Sequence, residues 1–165
     1  MEDYLYDLKI VQEYAALNRQ LILQKVCKEM KWKPLEQDNS HHNYVDENRI
    51  LRKGAIAAYE GQRVIIPING KDGIILGIGK GNSAWNFSAP HGAGRVMNRA
   101  KVGENFTVSQ YKKAMNGIYS PSICRETLDE APFAYRGIDE ILTEIRETVD
   151  VKEVLTPVYN YKAMK

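Results

Sequence analysis

The feature that most constrains the fold is a long opening stretch that contains neither glycine nor proline. Between Asp3 and Lys31, apolar residues such as Leu8, Val11 and Ala15 recur at helical spacing. The segment Trp32-Lys33-Pro34 follows, and a proline disfavours helical geometry in the residue before it. The sequence therefore predicts one long amphipathic helix over residues 1–33.

The middle of the chain is typical of short strands separated by tight turns. Asn69–Gly73 is the clearest turn sequence, because Asn, Asp and Gly tolerate the positive φ that such turns need. Between the turns lie short apolar segments. Strands are expected at Ile50–Leu51, Ala55–Tyr59, Val64–Ile68 and Ile74–Ile78.

The last third predicts helices and a final strand. The helices are expected at Val96–Lys101, at Val108–Asn116 and from about Gly137 or Ile138 to Val149. The last apolar run, residues 151–161, contains Pro157, which a strand tolerates best at a sheet edge. This mixture predicts an α+β fold, with an antiparallel, turn-rich sheet and helices packed on one side.

Composition indicates an ordinary globular protein. Of 165 residues, 44% are apolar and 27% are charged, which is enough to bury a core without disulfides or a structural metal. Cys27 and Cys124 lie far apart, and the chain shows neither a secretory signal nor a long apolar run. We therefore expect free thiols, a cytoplasmic protein and no membrane partner.

Charge alone does not indicate a nucleic-acid partner. The net charge of +2 is small for a surface that tracks phosphates. Basic residues nevertheless gather in Arg49–Lys53 and Arg95–Lys101, whereas Glu126–Glu153 is rich in acids. The positive part of the molecule is therefore expected around the middle of the chain.

The pair His41-His42, followed by Asn43, has two interpretations. Neutral imidazole is the commonest side-chain metal ligand, and a neighbouring amide can orient it. Adjacent histidines in a polar loop are also often exposed and bind nothing. In an extended segment neighbouring side chains point opposite ways, so one of the two at most would face a common centre.

The glycine-rich stretch Gly77–Gly94 also leaves two interpretations open. Repeated glycines let backbone N–H groups approach phosphate oxygens closely, as nucleotide-binding loops require. The spacing matches neither the P-loop pattern nor the dinucleotide fingerprint. A series of tight turns between strands explains the same glycines.

His91 is the most informative histidine because small residues surround it. It lies between Pro90 and the run Gly92–Gly94, so little bulk shields the imidazole from a ligand. Arg95 and Arg99 are four residues apart, and in a helix that begins after Gly94 they would share a face and hold phosphates with planar guanidinium groups. An accessible imidazole beside fixed positive charge indicates phosphoryl transfer.

The segment Ser88–Arg95, which reads Ser-Ala-Pro-His-Gly-Ala-Gly-Arg, closely resembles the signature of RtcB-type RNA-splicing ligases. Other segments of this chain resemble that family in the same order. They are Tyr14–Arg19, His41–Val45, Arg52–Ala55, Gly79–Asn82 and Leu128–Arg136. The resemblance extends over nearly the whole chain and corresponds to the C-terminal part of the family.

The resemblance implies a GTP- and manganese-dependent RNA ligase. In the family a histidine takes GMP from GTP as a phosphoramidate, passes it to an RNA 3′-phosphate, and a 5′-hydroxyl then completes the join. His91 would be that nucleophile. His42 would be a metal-binding histidine, and Asn43 would lie near the nucleotide phosphate.

The same resemblance implies the remaining contacts with nucleotide and RNA. Lys162 would touch the guanine, and Tyr135 matches a family tyrosine that is followed here by Arg136 instead of lysine. The segment Pro67–Gly73 differs from the usual sequence of the family, and within it Asp72 is the expected acidic partner of the guanine N–H groups. The other nucleotide-binding residues would be Gly92, Ala93 and Gly94. The residues that bind RNA or GTP phosphates would be Lys53, Arg95 and Arg99.

The family's other metal ligands lie in an N-terminal half that we expect this chain to lack. We therefore expect residues 1–165 to be a single C-terminal portion whose ligase activity is absent or impaired when the chain is alone. The candidate partners are a complementing N-terminal chain, an archease-like activator and a second copy of the chain. RNA with 3′-phosphate (or 2′,3′-cyclic phosphate) and 5′-hydroxyl ends is the expected substrate. The competing hypothesis is a non-catalytic fragment that binds nucleotide or RNA without chemistry.

Overall fold

The computed structural model describes residues 2–163, which form two compact units divided between Ile56 and Ala57. The first unit opens with α1 (Glu2–Glu29), so the long helix is confirmed. It ends in a turn in which Lys31 adopts φ 56° and the N–H of Trp32 donates to the carbonyl of Cys27, 2.8 Å away. No residue of Glu2–Glu29 is buried, so the described chain does not cover an apolar face of this helix.

A small antiparallel ladder completes the first unit. Strand β1 (Asn43–Val45) pairs with β2 (Leu51–Lys53), and Asn43 lies opposite Lys53. Arg52 is 2% exposed and forms an ion pair with Asp46. A buried guanidinium needs such a partner, so Arg52 has a structural explanation in this ladder.

The second unit is built on a three-stranded antiparallel sheet. Strand β3 (Ala55–Ala57) runs across the unit boundary, and β4 (Arg63–Asn69) and β5 (Gly73–Gly79) follow as a hairpin. A short strand, β6 (Ser88–Pro90), comes next, and β7 (Val149–Leu155) pairs with β5, giving the order β4-β5-β7. Alternate side chains of β4 are buried, as a sheet with one covered face requires.

Three short helices supply the rest of the second unit. They are α2 (Arg99–Asn105), α3 (Val108–Ala114) and α4 (Ile138–Glu144). Single 3₁₀ turns occupy Ser83–Trp85, Leu128–Glu130, Pro132–Ala134 and Ile145–Glu147. The buried cluster between them contains Val102, Tyr111, Met115, Leu128, Ala131 and Ala134.

Helices and antiparallel strands confirm the predicted α+β class, and all four predicted strands are present. The helix expected at Val96–Lys101 begins instead at Arg99, and the final strand ends at Leu155, before Pro157. Strand β7 lies at a sheet edge, which is the position that the sequence predicted for this segment. In residues 2–163 no helix combines the length and the apolar character needed to cross a membrane.

Candidate functional site

A pocket of about 770 Å³ opens in the second unit beside the edge strand β4, within the size range of small-molecule sites. His91 lines it together with Arg95, Arg99, Tyr135 and Lys162. With Gly92 and Gly94, the structure therefore brings together seven residues that the sequence predicts to be functional. Its remaining lining residues are Pro67, Ile68, Asn69, Gly70, Gly73, Ile74, Gly92, Gly94, Glu130, Pro157, Tyr159 and Asn160.

The loop after β6 presents His91 at this pocket. The imidazole side chain is exposed, whereas Ala93 is buried and its N–H donates to the carbonyl of Pro67, 3.2 Å away. A Cβ on Gly92 would lie 3.0 Å from the same carbonyl oxygen, so the loop lies close against β4. Gly94 adopts φ 70°, a conformation that favours glycine. The loop is thus held to the sheet while its histidine stays accessible.

Arg95 lies on an extended segment and not in a helix. Arg95 forms an isolated antiparallel bridge with Tyr135, and the N–H of Val96 donates to the carbonyl of Ala134 at 3.0 Å. Its guanidinium carbon lies 4.7 Å from the centroid of the Tyr135 ring. Stacking of this kind fixes the direction in which the guanidinium points.

The predicted single helical face for Arg95 and Arg99 is therefore wrong. Helix α2 begins only at Arg99, because Asn98 caps it by accepting a hydrogen bond from the N–H of Lys101 at 3.0 Å. Arg99 lies at the helix start and Arg95 in the preceding extended segment. Both side chains nevertheless line the same pocket.

Glu130 is a pocket residue that was not singled out from the sequence, although it contacts several of the charged side chains there. Its Oε1 accepts a hydrogen bond from Nη2 of Arg95 at 2.9 Å and lies 2.9 Å from Nη1 of Arg99. Its Oε2 accepts a hydrogen bond from the Tyr135 hydroxyl at 2.7 Å and lies 3.4 Å from Nζ of Lys162. The one available signal was its place within the family-like segment Leu128–Arg136.

These contacts shift the ionisation of both partners. Burial, followed by the hydrogen bond to Glu130 and the charge of that carboxylate, raises the pKa of Tyr135 to about 12, although the charges of Arg95 and Arg99 act in the opposite direction. For Glu130, burial alone acts to raise the pKa. The hydrogen bond from Tyr135 and the charges of Lys162 and Arg95 outweigh it, so the pKa of Glu130 is lowered. The pair is therefore a neutral phenol beside an ionised carboxylate at neutral pH.

The C-terminal segment brings Lys162 to the pocket. Tyr119 and Tyr159 form a parallel bridge, and the N–H of Asn160 donates to the carbonyl of Tyr119 at 2.9 Å. Further along, the N–H of Lys162 donates to the hydroxyl of Ser122 at 2.9 Å. These backbone contacts hold the lysine in the same pocket as His91.

Three predicted site residues lie in the first unit. Asn43 is engaged locally, since its Oδ1 accepts a hydrogen bond from the N–H of Gly54 at 2.9 Å. Lys53 is exposed on β2, and the carbonyl of His42 accepts from the same N–H of Gly54 at 2.9 Å. The roles of His42, Asn43 and Lys53 stay predictions.

The neighbouring His41 belongs to the packing of the first unit. Its Nδ1 lies 3.4 Å from Nη2 of Arg19 on α1, and its ring centroid lies 5.7 Å from that of Tyr44. Burial lowers its pKa, and the charges of Arg19 and His42 lower it further. His41 is therefore a partly buried packing residue and not a freely exposed one.

Asp72 is not among the residues that line the pocket, whereas Asn69 is. The Asp72 carboxylate accepts a hydrogen bond from Nδ2 of Asn69 at 2.8 Å, and the Asp72 N–H donates to Oδ1 of Asn69 at 2.9 Å. This pairing closes the turn between β4 and β5. The predicted contact of Asp72 with guanine stays a prediction.

The stretch Gly77–Gly94 divides into two parts. A Cβ on Gly79 would lie 2.4 Å from the carbonyl oxygen of Tyr59, and Nζ of Lys80 donates to the carbonyl of Arg146 at 2.6 Å. The glycines near Lys80 thus serve close backbone packing, which is the interpretation as tight turns. Of the glycines in this stretch, only Gly92 and Gly94 line the pocket, beside His91.

The described residues do not by themselves form a metal centre. Across residues 2–163, no three His, Cys, Asp or Glu side chains are grouped so that they could hold an ion. A manganese ion prefers several oxygen and nitrogen donors at once. His42 alone does not meet that requirement.

An exposed imidazole, two arginines and a lysine around one pocket define an α+β protein with a site suited to a phosphorylated ligand. The family model described as tRNA-splicing ligase RtcB matches residues 1–163. The chain belongs to the RtcB family of RNA-splicing ligases.

Curated relatives agree with this assignment. The chain is 35% identical to the RNA-splicing ligase RtcB1 of Escherichia coli and 34% identical to the RNA-splicing ligase RtcB of Escherichia coli strain K12, in each case over 91% of this chain. It is also 34% identical, over 56% of its length, to the tRNA-splicing ligase RtcB of Aeropyrum pernix strain K1, where the match covers 23% of the relative. The chain spans 41% of the length of the two Escherichia coli relatives.

Proposed function

We propose that this chain is the nucleotide-carrying portion of a GTP- and manganese-dependent RNA ligase. It would join an RNA 3′-phosphate, or a 2′,3′-cyclic phosphate first opened by water, to a 5′-hydroxyl. The observation that carries the proposal is that His91 lines the same pocket as Arg95, Arg99 and Lys162. A nucleophile among fixed cations fits covalent phosphoryl transfer.

The proposed reaction has three steps. In the first, an imidazole nitrogen of His91 attacks the α-phosphorus of GTP, a P–N bond forms, and pyrophosphate leaves. In the second, the RNA 3′-phosphate attacks that phosphorus, the P–N bond breaks, and GMP is carried on the RNA end through a phosphoanhydride. In the third, the 5′-hydroxyl attacks the 3′-phosphorus, a phosphodiester forms, and GMP is expelled.

Arg95 supports these steps because one nitrogen of its guanidinium has no hydrogen-bond acceptor within residues 2–163. Its Nη2 bonds to Glu130 and Tyr135, whereas its Nη1 is buried without a hydrogen-bond partner in residues 2–163. A buried donor that lacks a partner is unfavourable, and a phosphate oxygen would satisfy it. We assign Arg95 and Arg99 to phosphate binding.

The nucleotide itself would be held by the loop glycines and the C-terminal segment. Gly92, Ala93 and Gly94 would lie against the GMP phosphate and ribose, with Tyr135 near the phosphate and Lys162 at the guanine. Asp72, through the turn that it shares with Asn69, would select guanine over other bases. In the first unit, Asn43 and Lys53 would contact nucleotide or RNA phosphates.

Manganese has to be held by more than the described residues offer. We propose that His42 supplies one ligand and that the other ligands lie outside residues 2–163. A complementing chain that carries them is one proposed partner, and an archease-like activator and a second copy of this chain are others. The proposed setting is the cytoplasm.

The experiment is covalent labelling with GTP that carries the label in its α-phosphate. The chain is incubated with labelled GTP and manganese, alone and with the part of an Escherichia coli relative that this chain does not span. We expect acid-labile label on the chain in the complemented reaction, because a phosphoramidate is cleaved by acid. His91→Ala should abolish it, and His41→Ala, which removes an imidazole outside the pocket, should retain it.

The same experiment separates ligase from binder. GTP that binds with unchanged affinity to His91→Ala, with no label in any complemented reaction, would favour the non-catalytic alternative. No binding and no label would overturn both. Joining of an RNA with a 3′-phosphate to one with a 5′-hydroxyl by the complemented wild type, and not by His91→Ala, would establish the complete reaction.

A further inference from the structure

Both oxygens of the Glu130 carboxylate are occupied by the groups around the pocket. Oε1 serves Arg95 and Arg99, each at 2.9 Å, and Oε2 serves the Tyr135 hydroxyl at 2.7 Å and Lys162 at 3.4 Å. The Glu130 side chain is 19% exposed, so little of it faces solvent. One carboxylate thus connects three chain segments that are distant in sequence.

The charge balance explains why such a carboxylate is needed. Arg95, Arg99 and Lys162 carry three positive charges, and without a counter-charge they would repel one another. Asp129, 2.7 Å from Nη1 of Arg99, supplies one negative charge. Glu130 supplies the other and, unlike Asp129, also reaches Arg95, Tyr135 and Lys162. Three cations against two anions leave the pocket positive overall.

We propose that Glu130 is a positioning residue that holds Arg95, Tyr135 and Lys162 in the geometry that receives the nucleotide. Its carboxylate does not bind the nucleotide, because both oxygens are engaged and a carboxylate repels phosphate. It acts by fixing Nη2 of Arg95, which leaves Nη1 of the same guanidinium for a ligand. This inference rests on the proposed function, since it concerns the same pocket.

Two variants separate positioning from a simple effect of charge. Glu130→Gln removes a negative charge from a cationic pocket, so charge alone predicts tighter binding of GMP, whereas lost positioning predicts weaker binding. Glu130→Asp keeps the charge but withdraws the carboxylate by one methylene. Here charge alone predicts binding like that of the wild type, and lost positioning again predicts weaker binding.

The first measurement is calorimetric titration of the 165-residue chain with GMP. We expect both variants to bind about tenfold more weakly, the loss that one charge-assisted hydrogen bond to the ligand would give. Glu144→Gln, which removes a carboxylate from the exposed end of α4, should bind like the wild type. GMP binding that is unchanged or tighter in both Glu130 variants would overturn the inference.

The second measurement does not depend on the nucleotide. NMR of the labelled Tyr135 ring follows its titration, and the Arg95 Nε–H resonance reports whether the guanidinium is held in place. In Glu130→Gln we expect the pKa of Tyr135 to fall and the Arg95 resonance to broaden. If the wild type binds no GMP and takes no label in the complemented reaction, the proposed function fails at this pocket. These signals still decide the inference in that case, because their persistence in the variant would overturn it.

Discussion

At the scale of single residues, Tyr135 shows how this pocket uses a neutral phenol. Its hydroxyl donates to Glu130 at 2.7 Å and accepts from Nη2 of Arg95 at 3.0 Å, and its ring lies under the Arg95 guanidinium. The pKa of Tyr135 is raised to about 12, chiefly by burial. The phenol is therefore a fixed hydrogen-bonding bridge and does not act as a base near neutral pH.

The variant Tyr135→Phe tests this bridge through its pH dependence. At pH 8 we expect a loss of about 1–3 kcal/mol in the free energy of unfolding, since two hydrogen bonds to charged groups are removed. Above pH 10 the unfolded tyrosine ionises before the folded one does, so the wild type loses stability relative to the variant as the pH rises toward 12. Urea unfolding of both proteins at pH 8, 10 and 11.5 measures the difference, and a difference that is constant or grows over that range would contradict the raised pKa.

From the sequence, His91 and Arg95 could be singled out as candidate site residues, whereas Glu130 could not. His91 and Arg95 stand in one continuous signature, so their chemistry is visible in a short segment. Glu130 looks like one more acid in an acidic stretch. Its contacts with Arg95, Tyr135 and Lys162 form only when the chain folds, so they are not visible in the sequence.

At the scale of elements, the segment between β6 and α2 decides how the pocket is formed. Gly94 leaves the histidine loop with φ 70°, the chain pairs at Arg95, and Asn98 then starts α2. Two glycines of this region differ in whether their backbone conformation requires glycine. Gly94 requires the left-handed region, whereas Gly103 lies inside α2 with nothing within 4 Å of an added Cβ.

Alanine at these two glycines should have opposite effects on stability. We expect Gly94→Ala to lower the free energy of unfolding by about 1–2 kcal/mol, because the left-handed region is unfavourable for a residue with a Cβ. Gly103→Ala should raise it by about 0.5–1 kcal/mol, the difference in helix propensity. Urea unfolding measures both, and destabilisation by Gly103→Ala would contradict the helix that we describe.

Element types were predictable where the pattern was long or strictly periodic. The opening helix and the β4–β5 hairpin follow directly from periodicity and turn residues. The start of α2 was placed too early because apolar spacing outweighed the capping preference of Asn98. A helix boundary depends on one or two side chains, so a window of spacing does not fix it.

At the scale of the whole molecule, the uncovered surface of α1 is the main feature to explain. Ile10, Tyr14, Leu17 and Leu21 recur at helical spacing, and each is at least half exposed. Such a row resembles the contact face of paired helices. The sequence predicted an amphipathic helix here, but no part of the described chain buries the apolar row of that helix.

We predict that this row makes the chain self-associate. Sedimentation velocity from low to high micromolar concentration should show mass rising with concentration in the wild type. Tyr14→Glu combined with Leu17→Glu should give a monomer, because charges would then lie in the apolar contact. The matched control, Asn18→Asp with Gln20→Glu, adds the same charge to exposed positions outside the row and should associate like the wild type. A monomeric wild type over the whole range would contradict the prediction.

The chain has three histidines, His41, His42 and His91, and the proposed function requires that His91 carries the nucleotide. The direct measurement is mass-spectrometric mapping, under mildly alkaline conditions, of peptides from the complemented protein after reaction with GTP and manganese. We predict GMP on the peptide that contains His91 and on no other. GMP on the His41-His42 peptide or on a lysine, or an unmodified His91 in a complex that joins RNA, would contradict it.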